Sequence, residues 1–474
     1  MVFRGTYALT FTLSSLLLVA ATCAAQDNLS ARIDAYVKAE MQRQQIPGVS
    51  LAVVRDGKIA LLKSYGFSNL EHQVPVKPET MFQSGSIGKQ FTATAIMLLA
   101  NEGKLSLDDP ISKFFPDAPA SWSQITVRHL LTHTAGLADY PADFDTRRDH
   151  TEAELWTMIK AIPLNSQPGT RWDYSNLGYV TLGILISKVS GMFQGDFIVE
   201  RIFRPLGMQT ARVISEADIV PNRASGYRLE HGQLKNQEWV SPSTNTTADG
   251  CYYFSVLDLA KWDAALQSDA LLPQAQRAQM WTPVKLADGS SKAYGFGWHT
   301  DVLHGHEVVF HGGAWQGFKS FIVRFPKERI TFIFMANQWE TKDFGFARGL
   351  VATQFPEFSL SGVTPIADKE RETTTMIRRL LLQVAQGTTR PDSFTAAGAS
   401  RFFPEQAKQV GKLLNTLSLP IALIFTSELV ERKDENGLRV YRYALTDVGK
   451  TIFCTVRLES GDKLDSLSCD QAAN

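Results

Sequence analysis

Apolar residues recur at helical spacing from Ile33 to Gln44, and Pro47-Gly48 then ends that pattern. Two apolar runs follow, Val49 to Val54 and Ile59 to Tyr65, joined by Asp56-Gly57. A strong turn dipeptide between two such runs predicts a β-hairpin. Ile87 to Asn101 is apolar on nearly every side and closes at Gly103. That is the pattern of a helix buried inside a domain, with Ser86 at its start.

From Leu105 to about Gln279 the helical period returns in Glu152 to Ile162, Leu177 to Val189 and Val256 to Leu266, interrupted by Gly, Pro and Asn. This predicts a mostly helical lobe. From Tyr294 to Asn337 the texture becomes that of strands: Gly295 to His299, Glu307 to Phe310, Lys319 to Phe325 and Ile330 to Met335. With a helix over Lys342 to Gln354, the expected class is α/β (α+β), an antiparallel sheet flanked by helices plus the helical lobe. The expected units are a signal peptide over 1–25, a main domain over 26–356, a linker over 357–368 and a small α+β accessory domain over 369–474. The last has helical patterns at Lys369 to Gln386 and Pro404 to Leu417. Strands are expected near Ile421 to Arg432, Leu438 to Leu445, Thr451 to Leu458 and Leu464 to Cys469. Its element order is similar to that of NTF2-like accessory domains, and no catalytic grouping stands out in it.

Composition changes this picture little: lysine plus arginine equals aspartate plus glutamate at 48 each in 474 residues, so no whole-chain field draws in nucleic acid or an anionic membrane. The first segment changes more. Arg4, an apolar run from Tyr7 to Ala21 and small residues before Gln26 read as a signal peptide, which points to a periplasmic or secreted protein with no stable span after cleavage. A lipid or uncleaved anchor is the lesser reading. Beyond the leader remain Cys251, Cys454 and Cys469. The latter two either pair across a hairpin turning at Gly461-Asp462 or stay thiols, and Cys251 reads as core packing.

Ser86-Ile87-Gly88-Lys89 sets a hydroxyl and an amine three apart at a helix start, within reach of each other. Such a pair suits a nucleophile with a base, because burial and the helix N-terminus both disfavour a charged ammonium. A serine there also reads as a plain helix N-cap. Two further elements decide between these readings: Tyr174-Ser175-Asn176 just before a helix, and His311-Gly312-Gly313 between two strands. In this order the three resemble the Ser-x-x-Lys, Tyr-x-Asn and Lys/His-x-Gly motifs of the class C β-lactamase-related serine hydrolases, which include D-alanyl-D-alanine carboxypeptidases, D-aminopeptidases and esterases. His129 to Leu137, Pro168-Gly169, Pro205 to Met208 and Ala336-Asn337 extend the likeness across roughly Leu29 to Phe355.

The resemblance implies that Ser86 forms an acyl-enzyme, that Lys89 and Tyr174 shuttle protons, and that Asn176 orients the substrate amide. His311 and Gly313 would lie on the strand edging the site, with the Ala314 N–H joining that of Ser86 as oxyanion donors. It implies no cofactor and no metal, and a small-molecule or peptide substrate: D-amino acid peptide, ester or β-lactam. Where β-lactamases usually carry lysine, position 311 is histidine, so the expectation is a partly charged imidazole that binds substrate carboxylates better as pH falls through about 6.5. A catalytically weak penicillin-binding or peptidoglycan-sensing module is the alternative reading. A metal hydrolase lacks a His-Glu-x-x-His pattern to rest on.

Overall fold

The computed structural model describes residues 28–250, 252–303, 305–358, 365–417, 427–435, 437–447 and 450–471. Residues 1–25, where a signal peptide is expected, Cys251, His304 and most of the start of the strand expected from Ile421 lie outside the described residues.

A helix over residues 28–44 (α1) leads into β1 (Gly48–Arg55) and β2 (Lys58–Asn69). Asp56 and Gly57 both take positive φ, 52° and 72°, as the tight turn between twisted strands requires. A seven-stranded antiparallel sheet is completed by β3 (Val74–Pro75), β4 (His299–Leu303), β5 (His306–Trp315), β6 (Phe318–Phe325) and β7 (Ile330–Ala336), in the order β4-β5-β6-β7-β1-β2-β3. Central β1 is buried on both faces, which explains why its apolar residues fall on both, with buried Ser50 the one polar side chain between Val49 and Val54. Leu51 and Val53 point to one side, where they pack with Ile33 and Val37 of α1 and with Phe346 and Leu350. Ala52 and Val54 point to the other, into a core shared with the buried helix α2 (Gly88–Asn101) and the helical lobe. Alternate residues of each strand thus serve two separate cores.

The lobe contains α3 (Asn176–Ser190) and α4 (Val256–Ala265), and the helix after the sheet is α5 (Asp343–Ala352). One expected strand is absent: Gly295 to Trp298 is a bend, and β4 begins only at His299. Gly297 has φ of 75°, and a Cβ there would meet the Lys89 carbonyl at 2.9 Å. The bend exists to pass against the start of α2.

The C-terminal region has α6 (Arg371–Gln386), two shorter helices over Ala396–Phe402 and Glu405–Leu414, and a four-stranded antiparallel sheet, β8 (Glu428–Glu435), β9 (Leu438–Asp447), β10 (Lys450–Leu458) and β11 (Leu464–Gln471). Cys454 and Cys469 are partners in the β10–β11 register and form a disulfide, their Cα atoms 4.1 Å apart. That spacing is typical of a non-hydrogen-bonded antiparallel pair. Glu428 locks this region to the main domain: it is 3% exposed and lies 3.2 Å from Lys342 Nζ and 3.4 Å from Arg43 Nη1. Its carboxyl is held below the usual range by those cations despite burial, which raises it.

Candidate active site

Ser86 lies on a single 3-10 turn, Gly85–Ile87, that runs directly into α2. The turn is pinned on two sides. Residues 82–83 pair with Tyr252–Phe254, and the Ser84 carbonyl accepts a 2.6 Å bond from Ser320 Oγ on β6. Gly85 has φ of 50°, and a Cβ there would meet Ala314 N at 2.3 Å, while a Cβ on Gly313 would meet the Ser84 carbonyl at 2.0 Å. The two glycines let the nucleophile turn and β5 touch backbone to backbone, which sets the Ala314 N–H beside the turn that carries Ser86. Because β4 pairs only with His306 to Phe310, the stretch His311 to Trp315 is left as an open strand edge at this point.

Lys89 is fully buried, and its Nζ donates to Ser86 Oγ at 3.0 Å, Asn176 Oδ1 at 2.7 Å and the Asp249 carbonyl at 2.9 Å. The rings of Tyr174 and Tyr179 face the same Nζ, with centroids at 5.0 and 5.5 Å. Three acceptors and two π-faces replace the water that burial removes. The plain N-cap reading of Ser86 does not hold, since Ser86 bonds to Lys89 and caps nothing; the N-cap of α3 is Ser175, which accepts from Gly178 N–H. Asn176 is held instead by Asp139, whose carboxylate accepts from the Asn176 backbone N–H at 3.0 Å and its side-chain amide at 2.9 Å. Nothing in the residue pattern pointed to Asp139. Its role comes from a contact made 37 positions away in sequence.

His311 departs from the expectation of a substrate-facing cation. It is 3% exposed, and both ring nitrogens are bonded within the protein. Ser175 N–H donates to His133 Nδ1 at 3.2 Å, so His133 carries its proton on Nε2 and donates it to the Tyr294 hydroxyl, also at 3.2 Å. Tyr294 in turn donates to His311 Nε2 at 3.1 Å, and His311 Nδ1–H donates to the Gly312 carbonyl at 2.6 Å. Every position along this chain is a neutral donor or acceptor, and it begins and ends on backbone. Burial pushes both imidazoles well below their ordinary range, as do Lys89 and neighbouring histidines. The Tyr174 ring packs against His133 with centroids 4.1 Å apart and so lies between this neutral network and Lys89 Nζ. His133 was legible only as a member of the His129 to Leu137 segment, and Tyr294 only as the start of the strand-rich stretch.

In front of Ser86 opens a cleft of about 350 Å³. Tyr140, Phe144, Trp315 and Trp339 give it aromatic walls, Asn176, Asp249 and Ala314 supply polar and backbone groups, and no lysine, arginine or histidine lines it among the described residues. No cluster of His, Cys, Asp and Glu suited to a metal ion occurs among them either.

A seven-stranded sheet, an inserted helical lobe and a buried Ser-Lys pair at the head of the central helix define a serine hydrolase of the β-lactamase and penicillin-binding protein class. Residues 33–354 match the family model described as Beta-lactamase, and the chain belongs to that family. It is 30% identical over 325 residues to penicillin-binding protein 4* of Bacillus subtilis, covering 64% of this chain and 70% of that one. Protein flp of Staphylococcus aureus (strain MRSA252) is 28% identical over 319 residues, and the match spans 62% of its length. Among solved structures, the D-amino acid amidase of Ochrobactrum anthropi superposes with a TM-score of 0.61 at 25% identity, covering 70% of this chain and 99% of that one. The octameric penicillin-binding protein homologue from Pyrococcus abyssi matches in fold over 91% of this chain and 96% of its own, with a TM-score of 0.62 at 23% identity.

Proposed function

We propose that the chain, exported to an oxidising compartment, hydrolyses small amides or esters bearing an aromatic or other apolar group, through an acyl-enzyme on Ser86. The observation that carries this is the 3.0 Å contact between Ser86 Oγ and a buried Lys89 Nζ beside an open strand edge. In the reacting state Lys89 is the neutral amine: as Ser86 Oγ bonds to the acyl carbon, the hydroxyl proton passes to Lys89, and as the C–N or C–O bond breaks Tyr174 gives its own proton to the departing amine or alkoxide and regains one from Lys89. Water then attacks the ester, its proton following the same route back to Ser86. The N–H groups of Ser86 and Ala314 take the oxyanion, and Asn176 orients the substrate amide.

An aromatic-walled cleft without a cation favours amino acid amides and esters over β-lactams, whose carboxylate would find no counter-ion there. The D-amino acid amidase named above is the similar protein whose substrate fits this shape. The Cys454–Cys469 disulfide supports export.

A fluorescent fluorophosphonate should label the wild-type chain and leave Ser86→Ala unlabelled. A panel of D-amino acid amides, chromogenic esters and a chromogenic cephalosporin should show turnover in the first two classes ahead of the third. Labelling that survives in Ser86→Ala removes the assignment. Stable labelling by a β-lactam with no turnover of any substrate selects the penicillin-binding module instead.

A further inference from the structure

The cleft does not end at the Trp339 indole, which is 41% exposed. The same residue lines a second hollow of about 330 Å³ whose far side is formed by the C-terminal domain, through Arg371 and Thr375 of α6. Lys319 enters this hollow from β6, where it is the cross-strand partner of Ala314, and its Nζ lies 5.2 Å from the Trp339 ring centroid. A ligand leaving the cleft over Trp339 therefore meets Lys319 one strand away from the proposed oxyanion position.

Five cations line the hollow, and three are committed elsewhere. Arg43 and Lys342 bond to buried Glu428, and Arg378 donates to the Ser427 carbonyl at 2.6 Å. Lys319 and Arg371 are left, each with no carboxylate within 4 Å among the described residues. Three acids share the lining and each accepts from a backbone donor, Glu340 from Leu229 N–H at 2.8 Å, Asp343 from Phe344 N–H at 3.0 Å and Asp368 from Glu370 N–H at 3.1 Å, while Lys319 acts at longer range on Glu340 and Asp343 and Arg371 on Glu340. Lys319 and Arg371 thus line the hollow without a salt bridge, beside a cleft lined by no cation among the described residues.

We propose that this hollow is a second recognition site for a carboxylate that the substrate carries beyond the group seated in the cleft, with Lys319 from the main domain and Arg371 from the C-terminal domain as its cations. The substrate class is then an acidic peptide or acid-extended amide, and the C-terminal domain takes part in recognising it. This rests on the hydrolase reading of Ser86.

The test compares three amides of one aromatic D-amino acid in the full chain: the simple amide, a glutamate-extended form and a glutamine-extended form. Wild type should favour glutamate over glutamine by about fivefold or more in kcat/KM, the scale of one partly exposed ion pair. Arg371→Ala should bring that ratio close to one, and Arg371→Glu should invert it, with the simple amide unaffected in both. A wild-type ratio of one while the simple amide is turned over overturns the site, as does a ratio untouched by both variants. If no amide is turned over and Ser86 takes no label, the hydrolase reading has failed instead. The site is then decided by equilibrium binding of the two extended peptides to Ser86→Ala protein, where equal affinities overturn it and tighter glutamate binding supports it.

Discussion

Two buried polar networks meet at the Tyr174 ring, and they solve the same problem in opposite ways. On one side Lys89 keeps a donor inside the protein by surrounding its Nζ with three oxygen acceptors and two aromatic faces. On the other side His133, Tyr294 and His311 form a line in which each group is satisfied while neutral. Among the described residues no carboxylate bonds to either imidazole, so burial wins and holds both well below their ordinary range. Titratable groups only a few ångströms apart are thereby given different work: the first is placed to move a proton, the second to hold an aromatic ring still.

The largest effect expected from breaking this contrast comes from its reactive half. Lys89→Ala should lower kcat/KM for the simple amide by about 100-fold or more, and Tyr174→Phe should do the same, the usual scale for loss of positioned acid-base help. Both proteins should remain folded by circular dichroism. Near-normal rates in either variant would remove that residue from the proton path. A glycine test sharpens the geometry: Gly313→Ala places a Cβ 2.0 Å from the Ser84 carbonyl and must part β5 from the nucleophile turn. A displacement of about 1 Å there should cost about 100-fold in kcat. Unchanged kcat would mean that strand contact is not needed for chemistry.

How far the sequence could be read follows the same division. The Asp56-Gly57 turn, the buried helix after Ser86 and the Ser-Lys spacing are local: the residues that decide them are neighbours in the chain. The misreadings at the site are nonlocal. Phe296 and Trp298 alternate as a strand would, but Gly297 is bent to pass the Lys89 carbonyl, a contact about 200 residues back in the chain that no periodicity reports. His311 was read by residue type as a partly charged imidazole, and its state is set by partners from positions 133 and 294. Asp139, which holds Asn176, carries no signal of its own. The short helix Ala396–Phe402 also went unread, its apolar stripe being one turn shorter than the pattern needs.

Tyr294→Phe strikes the neutral half at its midpoint, since this hydroxyl alone joins the two imidazoles. Removing it leaves His133 Nε2–H without its acceptor and His311 Nε2 without its donor, a cost of about 1–3 kcal/mol in stability. A positioning role also predicts a drop in kcat for the simple amide with little change in KM, because Tyr174 loses its fixed neighbour while the cleft walls remain. Equal changes in kcat and KM, or a stability loss with kcat intact, would reduce the network to packing.

The smallest and most diagnostic effect is a slope against pH. His133, His299 and His311 all sit below their ordinary range in the folded state, His299 at about 3 through burial alone. Each is neutral when folded and takes up a proton when unfolded once pH falls below about 6.5. The stability they contribute is therefore present above that value and lost below it, by up to about 1.4 kcal/mol per pH unit for each histidine. Half-buried His306, held upward by Glu328 and Glu357, works in the opposite sense and offsets part of one. Denaturant midpoints at pH 7.5, 6 and 5 measure the slope. His299 makes the cleanest probe, because its Nδ1 has no hydrogen-bond partner to lose among the described residues. His299→Asn should flatten the decline by about one histidine's share, and an unchanged slope would show that this imidazole is charged in the fold. The same neutrality sets what substrates should feel: carboxylate binding should not strengthen between pH 7 and 5.5, because no imidazole in this network gains charge there.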